Sequence, residues 1–242
     1  MIILHGLFGS LENWQTVSQR LSSRFQVFAL DQRNHGQSPH SSEMDYKLMA
    51  EDVAEFMQTN LLKEAHVLGH SMGGKTAMHF ALLHPGSVRR LVVVDVAPRA
   101  YAPRHNQILE AMLSLDLTHL TDRKQIEKAL EPQIPELALR QFLIKSVARL
   151  PGGELVWKLN LKGINTHYDK LNAELTSGRP FEKPTLFVRG EKSDYIGESD
   201  ELLIRRLFPA ADFRTIEGAG HWVHADAPKV FVDMVLDFLA DK

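Results

Sequence analysis

The sequence predicts a mostly parallel α/β fold, and three observations carry that reading. Short apolar runs alternate with helical patterns along most of the chain, and several of the runs are continuous and β-branched. The length of 242 residues, 44% of them hydrophobic, suffices for one core with an insertion. Continuous apolar runs suit strands covered on both faces, and strands alternating with helices suit a parallel sheet.

Taken in order, the predicted strands are "MIIL" at the N-terminus, "QVFAL" (Gln26 to Leu30), "HVLG" (His66 to Gly69) and "LVVVD" (Leu91 to Asp95). "TLFVR" (Thr185 to Arg189) and "DFRTI" (Asp212 to Ile216) follow later. Met49, Val53, Phe56 and Met57 share one helical face, and a second helix opens after Ser71 and runs to about His84, before Pro85. Val230, Met234, Val235 and Phe238 mark the last helix, with Pro228 in its first turn, where a missing N–H costs nothing. From Arg99 to Arg179 the rhythm breaks. No strand pattern stands out there, only helical stretches punctuated by Pro132, Pro135, Pro151 and the Gly152-Gly153 pair. This reads as a helical insertion between the fourth and fifth strands, dividing the chain into residues 1–98, 99–179 and 180–242. Its twelve basic and nine acidic side chains suit a solvated helical surface as well as a site for anionic substrates.

Composition removes several function classes. A formal charge of −2 gives no reason to expect a nucleic-acid partner. No stretch reaches the roughly 18 unbroken apolar residues of a membrane span, and "MIILHG" lacks the charged and apolar regions of a signal peptide. With no cysteine there is neither a disulfide nor a thiolate nucleophile or metal ligand. The expectation is a cytoplasmic protein, taken as a monomer or dimer.

The central motif is "VLGHSMGGKTAM", which follows a strand and opens a helix. Two chemistries claim it. Gly69-His70-Ser71-Met72-Gly73 fits G-x-S-x-G, in which a serine sits on a strained strand-to-helix turn and small neighbours allow close packing. The helix N-terminus then favours negative charge developing beside the hydroxyl. Gly69 through Gly74-Lys75-Thr76 also fits the phosphate-cradling G-x-x-x-x-G-K-[ST], and "LVVVD" would pass for its magnesium-binding strand. The second pattern fixes more positions and arises less often by chance, so the serine reading rests on context.

Two outer motifs supply that context. "HGLFGS" (His5 to Ser10) ends the first strand in a glycine-flanked turn, where a backbone N–H can face the serine as an oxyanion donor. "GAGHWVHADAP" puts His221 in a glycine-rich loop after the last strand, where an imidazole can reach Ser71. Nucleotide binding has no use for either. Taken singly, each piece has a plainer explanation: His5-Gly6 as an ordinary turn, His221 as one of 12 histidines, His224 as packing or surface. Arg33 and His35, in "DQRNHGQS", suit a role in fixing the loop after the second strand.

With "HGLFGS", "DQRNHGQS", "GHSMGGK", "VVVDVAP" and "GAGHWVHADAP" in order, the chain from Ile2 onward resembles the α/β-hydrolase superfamily, and most of all the YbfF-type serine esterases. That resemblance implies an α/β-hydrolase fold in which the insertion is a helical cap. It implies hydrolysis of simple acyl esters, or of acyl thioesters, through an acyl-serine, with no cofactor and no metal. Carried over by position, Ser71 is the nucleophile and His221 the base, and Leu7 and Met72 supply the oxyanion-hole amides. C–C hydrolysis or a lyase step with the same residues is the alternative within the fold. The one or two N-terminal strands common in the superfamily are not expected here, because "MIIL" already leads into "HG".

The acid is ambiguous. In many relatives it follows the strand corresponding to "TLFVRG" as G-x-x-D, but here that slot holds Ser193, and Asp194 comes one residue late. Asp95, at the end of "LVVVD", opens on the same sheet edge. The YbfF-type pattern shares both features, which favours Asp95 over Asp194 as the alternative. Substrate-pocket candidates are Phe8, Tyr101, His105, Trp157 and Trp222. His167 and Tyr168 suit packing or surface roles as well.

Overall fold

The computed structural model describes residues 1–240. Among them the chain forms strands β1 (Ile2–Leu4), β2 (Phe28–Leu30), β3 (Ala65–His70), β4 (Val88–Val94), β5 (Val147–Arg149), β6 (Leu155–Trp157), β7 (Thr185–Gly190) and β8 (Ala211–Ile216). Helices α1 (Gln15–Leu21), α2 (Tyr46–Thr59) and α3 (Met72–Leu83) connect the first four strands. Helices α4 (Asn106–Ser114), α5 (Arg123–Leu130), α6 (Leu137–Leu143), α7 (Leu161–Thr166) and α8 (Tyr168–Asn172) lie between β4 and β7. Helix α9 (Asp200–Leu207) joins β7 to β8, and α10 (Val223–Asp226) and α11 (Pro228–Leu239) follow.

Six strands form one sheet in the order β2-β1-β3-β4-β7-β8. Every adjacent pair in it is parallel. The register is set around β1, where Ile2 sits opposite Phe28 on one side and Val67 on the other. From β1 the chain steps outward to β2 and then back across to β3, so the strand order reverses between β1 and β3. Loops leaving the carboxyl ends of strands at such a switch diverge and open a crevice. The turns after β1 and β3 are "HGLFGS" and "GHSMGG".

Continuous apolar strands meet the need for two covered faces. Ile2, Leu4, Val67, Leu91, Val93 and Phe187 point to one side, against Ala50, Val53 and Met57 of α2, Ala77 and Phe80 of α3 and Ile204 of α9. Ile3, Leu68, Val92, Val94, Leu186 and Val188 point to the other, against Val17 and Leu21 of α1 and Phe231, Val232 and Val235 of α11. Each such side chain contributes about 1.5–3 kcal/mol of transfer free energy when fully buried. Helix α2 starts where Asp45 accepts the Leu48 N–H at 2.9 Å, a side-chain cap on an orphan donor.

Helix α3 approaches the sheet more closely than a side chain allows. A Cβ on Gly73 would lie 2.3 Å from the Leu4 carbonyl oxygen, and one on Gly69 would lie 2.1 Å from the Gly73 oxygen. The spaced glycines of the central motif therefore serve contact between the first turn of α3 and strands β1 and β3.

The stretch between β4 and β7 differs from expectation in one respect. It is mostly helical, but β5 and β6 form an antiparallel hairpin, pairing Val147 with Trp157 and Arg149 with Leu155. Pro151-Gly152-Gly153 makes its turn, with Gly153 at φ +100° and its N–H donating to the Leu150 carbonyl at 2.9 Å. Three-residue strands are too short to display an alternating pattern, so the turn residues looked like punctuation between helices. Leu109, Ile126, Leu143, Leu155, Leu161 and Leu171 of this stretch share one apolar cluster with Phe8, Met44, Met49 and Met72. The stretch thus packs on the loops at the carboxyl edge of the sheet.

Gly73→Ala should force the first turn of α3 off β1, costing about 1–3 kcal/mol, the range for overpacking. In a chain of this size that corresponds to a Tm fall of roughly 2–12 °C by calorimetry. An unchanged melt would refute the close approach.

Candidate active site

Ser71 is the single residue between β3 and α3, held at φ 53°, ψ −119°. That backbone is unfavourable for a residue with a Cβ, by about 1–3 kcal/mol. Its surroundings enforce it: the Ser71 N–H donates to the Val94 carbonyl at 3.0 Å, and its own carbonyl accepts the Lys75 N–H at 3.1 Å. The hydroxyl is thereby carried off the sheet edge to line two adjoining cavities.

Asp95 follows β4 at φ 50° and is fully buried. A buried carboxylate requires donors, and three converge on it. His221 Nδ1–H donates to Oδ2 at 2.7 Å, and the Gly190 N–H donates to Oδ1 at 3.1 Å. The Ser193 hydroxyl donates to Oδ2 as well. The residue in the G-x-x-D slot therefore holds the carboxylate of the neighbouring strand. His221 is further fixed by Tyr195, whose ring stacks on the imidazole at 3.8 Å between centroids, and by His70, whose Nε2–H donates to the His221 carbonyl at 2.9 Å. Tyr101 locks Tyr195 in turn, its hydroxyl donating to the Tyr195 carbonyl at 2.6 Å. Ser71 and His221 line the larger cavity together without a hydrogen bond between them. A hydroxyl–imidazole contact of this kind is often long in a site without substrate.

The turn after β1 is braced from behind. The Phe8 N–H donates to His35 Nε2 at 3.3 Å, the Gly9 N–H to the Gly6 carbonyl at 3.0 Å, and Phe8 sits at φ 63°. His35 Nδ1–H donates to the Arg33 carbonyl at 2.9 Å, and His5 Nε2 accepts the Gln32 N–H at 3.0 Å. Burial pulls His35 down to about 3 and His5 to about 4, so both stay neutral, as these acceptor nitrogens require. Between the engaged amides, those of Leu7 and Met72 have no protein acceptor among the described residues, and both residues line the smaller cavity with Ser71.

The remaining candidates divide. Phe8 and Trp222 line the larger cavity, Tyr101 the smaller, and His105 both. Trp157 lines neither; on β6 it packs against the apolar cluster of the inserted stretch. His224 is buried and stacked on Trp14 at 4.2 Å. Asp194 is turned to the surface, where Arg104 Nη1 pairs with Oδ1 at 2.6 Å and holds its pKa below the usual range. Tyr195 was the residue that sequence reasoning missed, although it stands next to Asp194 in the loop singled out for its acids.

Lys75 does not serve the phosphate-binding alternative. It is buried, and its Nζ donates to the carbonyls of Arg99 at 2.9 Å and Ala173 at 2.6 Å, with the Tyr101 ring 5.0 Å away. Burial, reinforced by nearby Arg99, brings its pKa down to about 7. The lysine thus ties both ends of the inserted stretch to α3.

A parallel sheet carrying a serine on a strained strand-to-helix turn, beside an imidazole–carboxylate pair, is the architecture of the α/β-hydrolase class. The chain belongs to the alpha/beta hydrolase fold family, whose match spans residues 1–138. It is 39% identical to "sn-1-specific diacylglycerol lipase ABHD11" of Mus musculus, over 99% of this chain and 80% of that protein. With "Esterase YbfF" of Escherichia coli (strain K12) it shares 32% identity, over 100% of this chain and 93% of that protein. The solved structure titled "Marine microorganism esterase" superposes with a TM-score of 0.96 at 44% identity, over 98% of this chain and 94% of that one. Among the described residues no helix is long and apolar enough to cross a membrane.

Lys75→Met should orphan two carbonyls and lower stability by about 1–3 kcal/mol, and millimolar ATP with magnesium should leave the melting temperature of either form unchanged. Because the folded-state pKa of Lys75 lies near 7, below its ordinary 10.5, the unfolded chain holds the extra proton between those values. The wild type should therefore gain stability relative to Lys75→Met as pH rises from about 7 to 10, measured by denaturant unfolding at each pH.

Proposed function

We propose that the protein is a serine carboxylic-ester hydrolase acting on small to medium acyl esters, and on acyl thioesters, through an acyl-serine intermediate. The observation that carries the proposal is the 2.7 Å contact between His221 Nδ1 and the buried Asp95 carboxylate, on a cavity shared with Ser71. Donation through Nδ1 leaves Nε2 as the basic nitrogen. His221 takes the proton of Ser71 as Oγ attacks the acyl carbon, then returns it to the leaving alcohol or thiol. Asp95 holds the tautomer and stabilises the imidazolium. The Leu7 and Met72 amides receive the oxyanion, assisted by the positive end of α3. Water, activated by the same imidazole, clears the acyl-enzyme. Apart from substrate and that water, every group named belongs to this chain.

The names of the relatives support ester chemistry, since they are called esterases and a lipase. Residues 99–179 act in this proposal as a cap over a core made of residues 1–98 and 180–242. A small molecule is the sole partner required, and the cytoplasmic location and monomeric or dimeric state belong to the same proposal.

An activated fluorophosphonate should leave one adduct, mapping by peptide mass spectrometry to Ser71; an adduct on another serine of active protein would sink the mechanism. Asp95→Asn should lower kcat by several orders of magnitude, of the order of 10⁴ when the orienting carboxylate of a Ser-His-Asp system is lost. Asp194→Asn should lose less than about threefold, because removing a surface ion pair moves little. Rates read beside thermal melts separate these outcomes from unfolding. Near-normal turnover of a stable Asp95→Asn protein would assign the acid elsewhere.

A further inference from the structure

Two cavities meet at Ser71, and they differ in size, lining and access to His221. The larger, of about 530 Å³, contains His221 and is walled by Trp14, Ile108, Leu139, Phe142 and Trp222. The smaller, of about 40 Å³, is lined by Met72 but not His221, and by Tyr101, Tyr168 and Leu171. Leu7, Ser71, His105 and Tyr195 border both.

The chemistry of acyl transfer decides which part of a substrate enters which cavity, given the mechanism proposed above, on which this step rests. In the tetrahedral intermediate the acyl carbon carries Ser71 Oγ, the oxyanion, the leaving oxygen or sulfur, and the acyl substituent. The oxyanion is directed to the amides of Leu7 and Met72. When the bond from the acyl carbon to the leaving atom breaks, its electron pair takes the proton that His221 received from Ser71. The leaving atom must therefore face His221, which borders the larger cavity alone. The acyl substituent is directed away from His221, into the smaller one.

Size and charge then define the acyl group. A space of about 40 Å³ beside one of about 530 Å³ favours the shorter substituent. The cations of the lining are already engaged. Lys75 Nζ is committed to the carbonyls of Arg99 and Ala173, and Arg104 is paired with Asp194. The floor is also held in place: Tyr46 donates its hydroxyl to the Leu171 carbonyl at 2.8 Å, and Tyr168 Oη accepts the His105 N–H at 2.8 Å. Opening for a long chain would break these bonds.

We infer that the smaller cavity is the acyl pocket and the larger the leaving-group pocket, so that preferred substrates join a short, neutral acyl group to a long or bulky apolar alcohol or thiol. Octyl acetate and methyl nonanoate test this directly, being isomers that place the same chain on opposite sides of the ester. The wild type should hydrolyse octyl acetate with a kcat/KM at least about tenfold higher, a difference of about 1.4 kcal/mol in transition-state binding. A ratio near one, or one favouring methyl nonanoate, overturns the inference. Leu171→Ala should narrow the ratio by admitting longer acyl chains, and a ratio that widens would count against it. The same preparations are scored for p-nitrophenyl acetate turnover and for the fluorophosphonate adduct on Ser71. Loss of both refutes the esterase proposal itself, whereas an inverted isomer ratio with both intact refutes only the assignment of the pockets.

Discussion

The arrangement of the site depends on one buried negative charge. The Asp95 carboxylate is fully buried at the end of a central strand, where an unpaired ion would cost several kcal/mol. Its donors come from two separate segments: Gly190 at the end of β7 with Ser193 in the turn that follows, and His221 from the loop after β8. Meeting the carboxylate's demand for hydrogen bonds therefore draws both loops to the edge where Ser71 stands. The imidazole is positioned by that same convergence, with Tyr195 stacked on its face.

The inserted stretch is coupled to the core by polar anchors as much as by its apolar cluster. Lys75 grips it at Arg99 and Ala173, and Tyr46 at Leu171. Ser146 donates its hydroxyl to the Phe8 carbonyl at 2.8 Å, behind the turn that carries the Leu7 amide, and the Asn160 N–H donates to the Asn34 carbonyl at 3.0 Å. Each anchor engages a backbone carbonyl. Pocket shape and the turn after β1 are thus parts of one bonded network. Of the non-glycine residues with positive φ, Phe8, Ser71 and Asp95 all border the site. Strain of this kind persists only where surrounding bonds over-determine the backbone.

Much of the fold was legible because its signals are local. All six strands of the sheet lie within three residues of their apolar runs, and α3 ends at Leu83, beside His84. The hairpin of β5 and β6 escaped because three residues per strand cannot display a period. Ser71 was legible because glycines at fixed spacing are needed where helix and strand touch, which is a constraint on neighbours in sequence. Local pattern left the choice between Asp95 and Asp194 open, and only the family resemblance favoured Asp95. Both are acids in loops at one sheet edge, and the direction of a side chain is set by contacts that the chain makes over long separations.

The sequence by itself determined the class of sheet, the order of its elements and the strained serine turn, since each follows from periodicity, turn chemistry and close packing within a short window. Tertiary structure alone decided that Asp95 turns inward to His221 while Asp194 turns outward to Arg104. It also decided that Lys75 grips two carbonyls, and that Tyr195 lies on the imidazole. For Asp95 and Lys75 the physical reason is the same. A buried polar group must find its partners wherever the fold brings them, and those partners lie some twenty to a hundred or more residues away in the chain.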